Sequence, residues 1–131
     1  MKVVIDTDVL IALVKMRKLE DFLIRYEPYI TVITLYEYMR GEVAAGVDAQ
    51  ESKLTLEEAF NILPLDNDSL KIASKIWSKL RAKGSLIDER DLLIASICIS
   101  KGLPLWTFNK KHFQRLVGFG LRMKDIDINS L

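Results

Sequence analysis

Five oxygen-bearing side chains stand where short apolar runs stop. Asp6 and Asp8 follow Val3-Val4-Ile5, with Thr7 between them; Glu37 comes shortly after the run from Tyr29 to Ile33; Asp91 opens a nearly all-apolar stretch; Asn109 follows Leu103 to Thr107. Carboxylates brought within a few ångströms of one another repel, and some then hold raised pKa values. A divalent cation removes that conflict, and all-oxygen ligands favour Mg²⁺ or Mn²⁺ over zinc or copper. Such a centre activates water and stabilises charge on a phosphoryl group. The question is whether the chain brings these residues to one place.

The surrounding pattern says that it does. Val3 to Ile5 is short, β-branched and apolar, as a buried parallel strand is. Asp6 then lies at a strand's C-terminal end, where open α/β sheets place their ligands. Asp8 is a natural N-cap for a helix from Val9 to Val14. A second helix spans about Leu19 to Arg25 and a second strand Tyr29 to Ile33. Thr34 caps a helix from Leu35 to Ala45, ended by Gly46. Helix 48–61, a brief strand 62–65, helix 69–83, helix 91–101, strand 103–107 and helix 109–116 follow, and 125–128 reads as a last edge strand. Leu70, Ala73, Ile76, Trp77 and Leu80 form one stripe. The helix from Asp91 is apolar nearly all round and must be buried on most sides. Strands alternating with helices imply one α/β domain over 1–131, with a mainly parallel sheet of four to five strands and helices on both faces. Strand C-termini and the following helix N-termini share one edge of such a sheet. Asp6, Glu37 and Asn109 therefore converge there, Asp91 joins from its helix start, and the helix N-termini favour phosphate.

Each residue also has a purely structural reading. Thr34-x-x-Glu37 is a capping box, Asp91 is a first-turn acid that complements the helix dipole, Asp88 caps the same helix, and Asn109 suits a turn. The single histidine, His112, reads as a solvated residue beside Lys110 and Lys111. One histidine excludes a nuclease that uses two as acid and base, and a zinc site of several. The single cysteine, Cys98, sits between Ile97 and Ile99 and reads as a small buried hydrophobe. A formal charge of +1 announces no nucleic-acid binder, so any basic footprint is local. Apolar runs fall far short of a membrane span, and Lys2 followed by a strand ending in acid does not read as a signal peptide. The expected location is the cytoplasm.

In their order and spacing these segments resemble the PIN-domain family, and within it the VapC-type toxins. The resemblance is carried by Val4-Ile5-Asp6-Thr7-Asp8-Val9-Leu10-Ile11, by Thr31-Val32-Ile33-Thr34-Leu35-Tyr36-Glu37, by Gly84 through Asp91-Leu92-Leu93-Ile94-Ala95, and by Leu103-Pro104-Leu105-Trp106-Thr107-Phe108-Asn109 with Phe113. It implies a metal-dependent endoribonuclease, with Asp6, Glu37 and Asp91 as the core acids holding one or two Mg²⁺ or Mn²⁺ ions. Thr7 matches the small or hydroxyl residue after the first acid, and Thr107 the threonine after the fourth strand. The chain departs from the pattern at Asn109, where many relatives carry Asp; a neutral Asn109 still coordinates by its carbonyl or orients water. Asp8 stands where relatives often carry Asn or Ser, and partly restores the charge. The resemblance further implies a homodimer, and a cognate antitoxin whose tail occupies the acidic site. Lys15, Arg17, Lys18, Arg40, Lys110 and Lys111 are candidates to line an RNA path.

Three other readings stay open at this point. The chain could be a PIN-like protein that binds RNA or a partner without cutting, as Asn109 suggests. It could be a PIN nuclease of RNA processing. Asp6-Thr7-Asp8 also resembles the opening of haloacid-dehalogenase-type phosphatases, with Asp6 as nucleophile and Asp8 as acid, although Leu10 departs from that motif.

Overall fold

The computed structural model describes residues 1–131. Strands β1 (Lys2–Ile5), β2 (Glu27–Thr31), β3 (Asn61–Leu63) and β4 (Leu105–Trp106) form one parallel sheet in the order β3-β2-β1-β4. Around it lie α1 (Thr7–Lys15), α2 (Leu19–Arg25), α3 (Val32–Ala44), α4 (Ala49–Ala59), α5 (Asn67–Ala82), α6 (Glu89–Lys101) and α7 (Lys110–Gln114). β1 is central: Val4 lies opposite both Tyr29 and Leu105, and Ile5 opposite Trp106.

The period-2 alternation of a strand divides the core in two. Val4 and Leu105 face one side, with Ile76, Leu80, Ile94, Ile97 and Phe113. Val3, Ile5 and Trp106 face the other, with Leu10, Leu13 and Phe22. Both faces are therefore covered, and the central strand must be apolar throughout. Helix α6 is buried as its composition requires: Leu92 and every residue from Ile94 to Cys98 are inaccessible or nearly so. Its end at Gly102 follows from the left-handed φ of +65° there, which a side chain disfavours.

Five expectations are corrected. Asp6, not Asp8, caps α1: its carboxylate accepts from the Thr7 amide at 2.8 Å, so the helix starts two residues earlier. Thr31, not Thr34, caps α3, accepting from the Thr34 amide at 3.2 Å. The apolar, β-branched Val32 and Ile33 look like strand, but a buried hydroxyl at Thr31 starts the helix before them, and Glu37 is left in its second turn. The proposed Thr34–Glu37 capping box does not exist. The stripe on α5 is only partly inward: Ala73, Ile76 and Leu80 are buried, whereas Leu70 and Trp77 are exposed. The expected edge strand at 125–128 is absent. The chain instead bridges to Leu105 at Met123 and ends in a short 3₁₀ turn, Ile128–Ser130. No helix is long and apolar enough to cross a membrane.

Candidate active site

The parallel sheet delivers its acids to one rim. Asp6 ends β1, Thr107 follows β4, α3 brings Glu37, and α6 begins there with Asp91. Asp6 and Asp91 are almost wholly buried. Asp88 caps α6 by accepting from the Arg90 amide at 2.8 Å, which frees Asp91 to face inward.

A residue that sequence reasoning passed over stands among them. The Arg90 guanidinium reaches all three acids at once. Its Nη2 donates to Asp6 Oδ1 at 2.6 Å, its Nε to Glu37 Oε2 at 2.7 Å, and its Nη1 to Asp91 Oδ1 at 2.7 Å. Nη2 also lies 3.2 Å from Thr7 Oγ1. The planar fork of donors in arginine suits such a geometry, as the single ammonium of lysine does not. A signal was present in the sequence. Arg90 is a cation in the first turn of a helix, between Glu89 and Asp91, where the macrodipole disfavours positive charge. A residue placed against that preference asks for carboxylates nearby.

Threonines hold the acids. Thr107 Oγ1 donates to Asp6 Oδ2 at 2.8 Å and accepts from the Asn109 amide at 3.0 Å. Thr7 Oγ1 lies 2.6 Å from Glu37 Oε1 and 3.1 Å from Thr34 Oγ1. A hydroxyl has one proton. The shorter, charged contact takes it, so Thr34 must donate its own proton to Thr7. Asp6 is thus clamped on both oxygens, and Glu37 on both of its own.

The electrostatics follow. Burial works against ionising Glu37, but the hydrogen bonds from Arg90 and Thr7 outweigh it and hold the carboxyl below its ordinary value. Burial likewise opposes the charged guanidinium, and its bonds to Glu37 and Asp6 outweigh that, keeping Arg90 charged more firmly than usual. Asp8 is the exception. Burial, then the charge of Asp6, raises its pKa, and its Oδ1 is buried with no hydrogen-bond partner.

Asn109 does not join the acids directly. Its amide group lies 3.0 Å from His112 Nδ1. His112, expected to be merely solvated, is indeed exposed, yet the same Nδ1 is 3.5 Å from Asp91 Oδ2. The tautomer decides which partner Nδ1 serves: bare, it accepts from the Asn109 amide; carrying a hydrogen, it donates.

The basic residues divide. Lys15 lines an apolar groove that runs from Glu37 past Ile11, Val14 and Tyr38. Arg40 lies over the Tyr36 ring and lowers the Glu37 pKa through its charge. Arg17, at a left-handed φ of 55°, and Lys111 are exposed. Lys18 is tied instead to the backbone oxygens of Asn129 and Leu131, and Lys110 to Asp125 at 2.6 Å.

The residues fit a hard divalent cation in donor type: carboxylate oxygens on three elements, with the partnerless Asp8 Oδ1 close by. With the guanidinium between them, no three of these groups converge tightly enough to ligate one ion. An ion held by all three acids therefore needs the guanidinium out of the way and the carboxylates drawn closer together. Three carboxylates around one guanidinium are net negative, and that imbalance favours exchange for a doubly charged ion.

Comparison with known proteins gives one consistent answer. Residues 3–118 match the PIN domain family. Ribonuclease VapC1 of Methanocaldococcus jannaschii is 42% identical over 125 residues, covering 95% of this chain and 88% of that protein. Ribonuclease VapC5 of Mycobacterium tuberculosis is 34% identical over 79% of this chain and 80% of that protein. Among solved structures, VapBC-1 from nontypeable Haemophilus influenzae superposes with a TM-score of 0.73 at 25% identity, covering 95% of this chain and 98% of that one.

Proposed function

Because this chain belongs to the PIN-domain family, we propose that it is a Mg²⁺- or Mn²⁺-dependent endoribonuclease, the toxin of a VapBC-type toxin–antitoxin pair. The observation that carries the reading is the convergence of Asp6, Glu37 and Asp91 on one guanidinium at the C-terminal rim of the sheet. The curated relatives at 42% and 34% identity are ribonucleases, which supports the reaction class. Membership of this family removes the phosphatase alternative.

Asp6, Glu37 and Asp91 are the residues that would hold the ion. When bound, it supplies positive charge that lowers the pKa of water and polarises a phosphodiester. The chain's own contribution is orientation. Thr107 and the Thr7 amide fix Asp6, and Thr7 fixes Glu37, so the acids keep their places without reorganising as charge develops. The N-termini of α1 and α6 open at the same rim and favour the phosphate of the substrate. Arg40 and Lys15, beside Glu37, are the basic candidates best placed to hold the RNA backbone; Lys18 and Lys110, already engaged elsewhere, are the least well placed. Asn109 acts through Thr107 and His112.

The solved relative from Haemophilus is a VapBC complex, and that supports a cognate antitoxin as this chain's partner too. The antitoxin covers the acidic rim and thereby inhibits the enzyme. The proposed working form is a homodimer in the cytoplasm.

One observation favours a second reading, in which the protein binds RNA without cutting it: the side chain of Asn109 pairs with His112 and makes no hydrogen bond to the acids. A single experiment separates the two. Purified protein, free of antitoxin, is incubated with total cellular RNA in Mg²⁺, in Mn²⁺ and in chelator, beside Asp91→Asn. Discrete products that require both metal and Asp91 are expected. RNA retained in chelator, with no products in either metal, would replace the nuclease with the binding protein.

A further inference from the structure

We propose that Arg90 is an internal counter-ion which the catalytic metal displaces, so that the metal-free enzyme keeps its acid cluster assembled around its own guanidinium. The proposal rests on the metal-dependent reading above and adds a role for a residue outside the acid set.

Three features of the structure carry it. The first is the geometry. One side chain spends four donor contacts on the three acids and Thr7, at distances of 2.6 to 3.2 Å. Without a cation at that point, Asp6 and Asp91, both buried, would face Glu37 with no compensating charge, and their mutual repulsion would open the arrangement. The second is location. Arg90 occupies the helix turn where a positive side chain is disfavoured, so its presence is not explained by the stability of α6. The third is freedom to leave. Its backbone is pinned by the Asp88 cap, but its side chain is 29% exposed, against 2% for Asp6 and 6% for Asp91. The guanidinium can swing outward about its own long stem, and the carboxylates it held apart can then draw together on an ion.

The consequence is an exchange. The guanidinium and the ion compete for the same oxygens, Asp6 Oδ1, Glu37 Oε2 and Asp91 Oδ1. Metal binding therefore costs three ion pairs in the natural protein, and its affinity is held down accordingly. The released guanidinium stays tethered at the rim beside the arriving phosphodiester.

Two measurements test this without using catalysis. In the first, Mg²⁺ is titrated into ¹⁵N-labelled protein while the Arg90 Nε–H resonance, assigned by its absence in Arg90→Gln, is followed. The expected result is that the bonded resonance moves to the position of a solvent-exposed arginine as Mg²⁺ saturates. A resonance that stays in place at saturation would overturn the proposal. In the second, Mn²⁺ affinity is measured by calorimetry and by water-proton relaxation for the natural protein, Arg90→Gln, Arg90→Lys and Asp6→Asn. Arg90→Gln is expected to bind Mn²⁺ roughly 10-fold or more tightly, with a lower Tm in chelator that metal restores. Arg90→Lys, a single charge that cannot fork to three acids, is expected to lie between; it also serves as the variant of choice should Arg90→Gln fail to fold without metal. Unchanged affinity in both Arg90 variants, with binding still lost in Asp6→Asn, would refute the exchange and leave the metal site standing. Absence of Asp6-dependent Mn²⁺ binding in every protein would remove the metal reading and the exchange with it.

Discussion

Thr7→Val tests how the rim is held together. Valine has nearly the shape of threonine, so the change deletes one hydroxyl from a buried position with little repacking. It removes the 2.6 Å hydrogen bond to Glu37 and the acceptor that Thr34 uses. A hydrogen bond to a charged group is worth about 1.5–3 kcal/mol. Glu37 is 14% exposed, so water recovers part of the loss, and about 2 kcal/mol is the expected cost. Unfolding entropy near 2.1 cal/mol/K per residue gives about 0.28 kcal/mol/K for 131 residues, so Tm should fall by about 7 °C. The assay is thermal unfolding in chelator at pH 7. The sign with pH is fixed by linkage. The Glu37 pKa is lowered in the folded protein, so the stabilisation it contributes is present above the ordinary value of 4.5 and is lost as pH falls through the lower, folded value. The gap between natural protein and Thr7→Val must therefore narrow in acid. A Tm within 1 °C (roughly the error of such a scan) at pH 7, or a gap that widens as pH falls, would show that Thr7 does not hold Glu37.

Asp8→Asn should behave in the opposite sense. Burial and Asp6 raise the Asp8 pKa, so the charged form costs stability that grows as pH rises above the ordinary 3.8. In chelator at pH 7 the variant should melt higher than the natural protein, and at pH 3.5 (roughly the ordinary aspartate value) the difference should vanish. An unchanged Tm at pH 7 would show that Asp8 is already neutral or compensated. Cys98 is inaccessible, and burial pushes its thiol well above the usual range. It should react with a thiol reagent only as fast as the protein unfolds. Labelling that rises in proportion to reagent concentration under native conditions would place Cys98 in a locally opening segment.

The sequence alone determined the alternating architecture, the parallel sheet, the buried α6 and the address of the acids. Those properties follow from patterns that local physics makes visible. A run such as Val3-Val4-Ile5 is apolar on both faces only when helices cover both, and in a parallel sheet a carboxylate after such a run has one edge to occupy. Asp88 was legible as a cap, and Cys98 as core, for the same local reasons. What only the tertiary structure decided was which of several competent residues does each task. Asp6 or Asp8, and Thr31 or Thr34, are equally good caps by residue type; the choice depends on where the strand delivers the chain, and it moved Glu37 from a helix start to a second turn against Thr7. Trp77 and Leu70 satisfy a helical period yet stay partly exposed, along a groove that α5 shares with Glu89 and Leu93 of α6. Arg90 is the sharpest case. Its three partners lie 84, 53 and 1 residues away in sequence, and long-range pairing of a flexible side chain leaves no periodicity to read. Only the assembled fold, which sets β1, α3 and α6 side by side, brings one guanidinium within reach of all three acids.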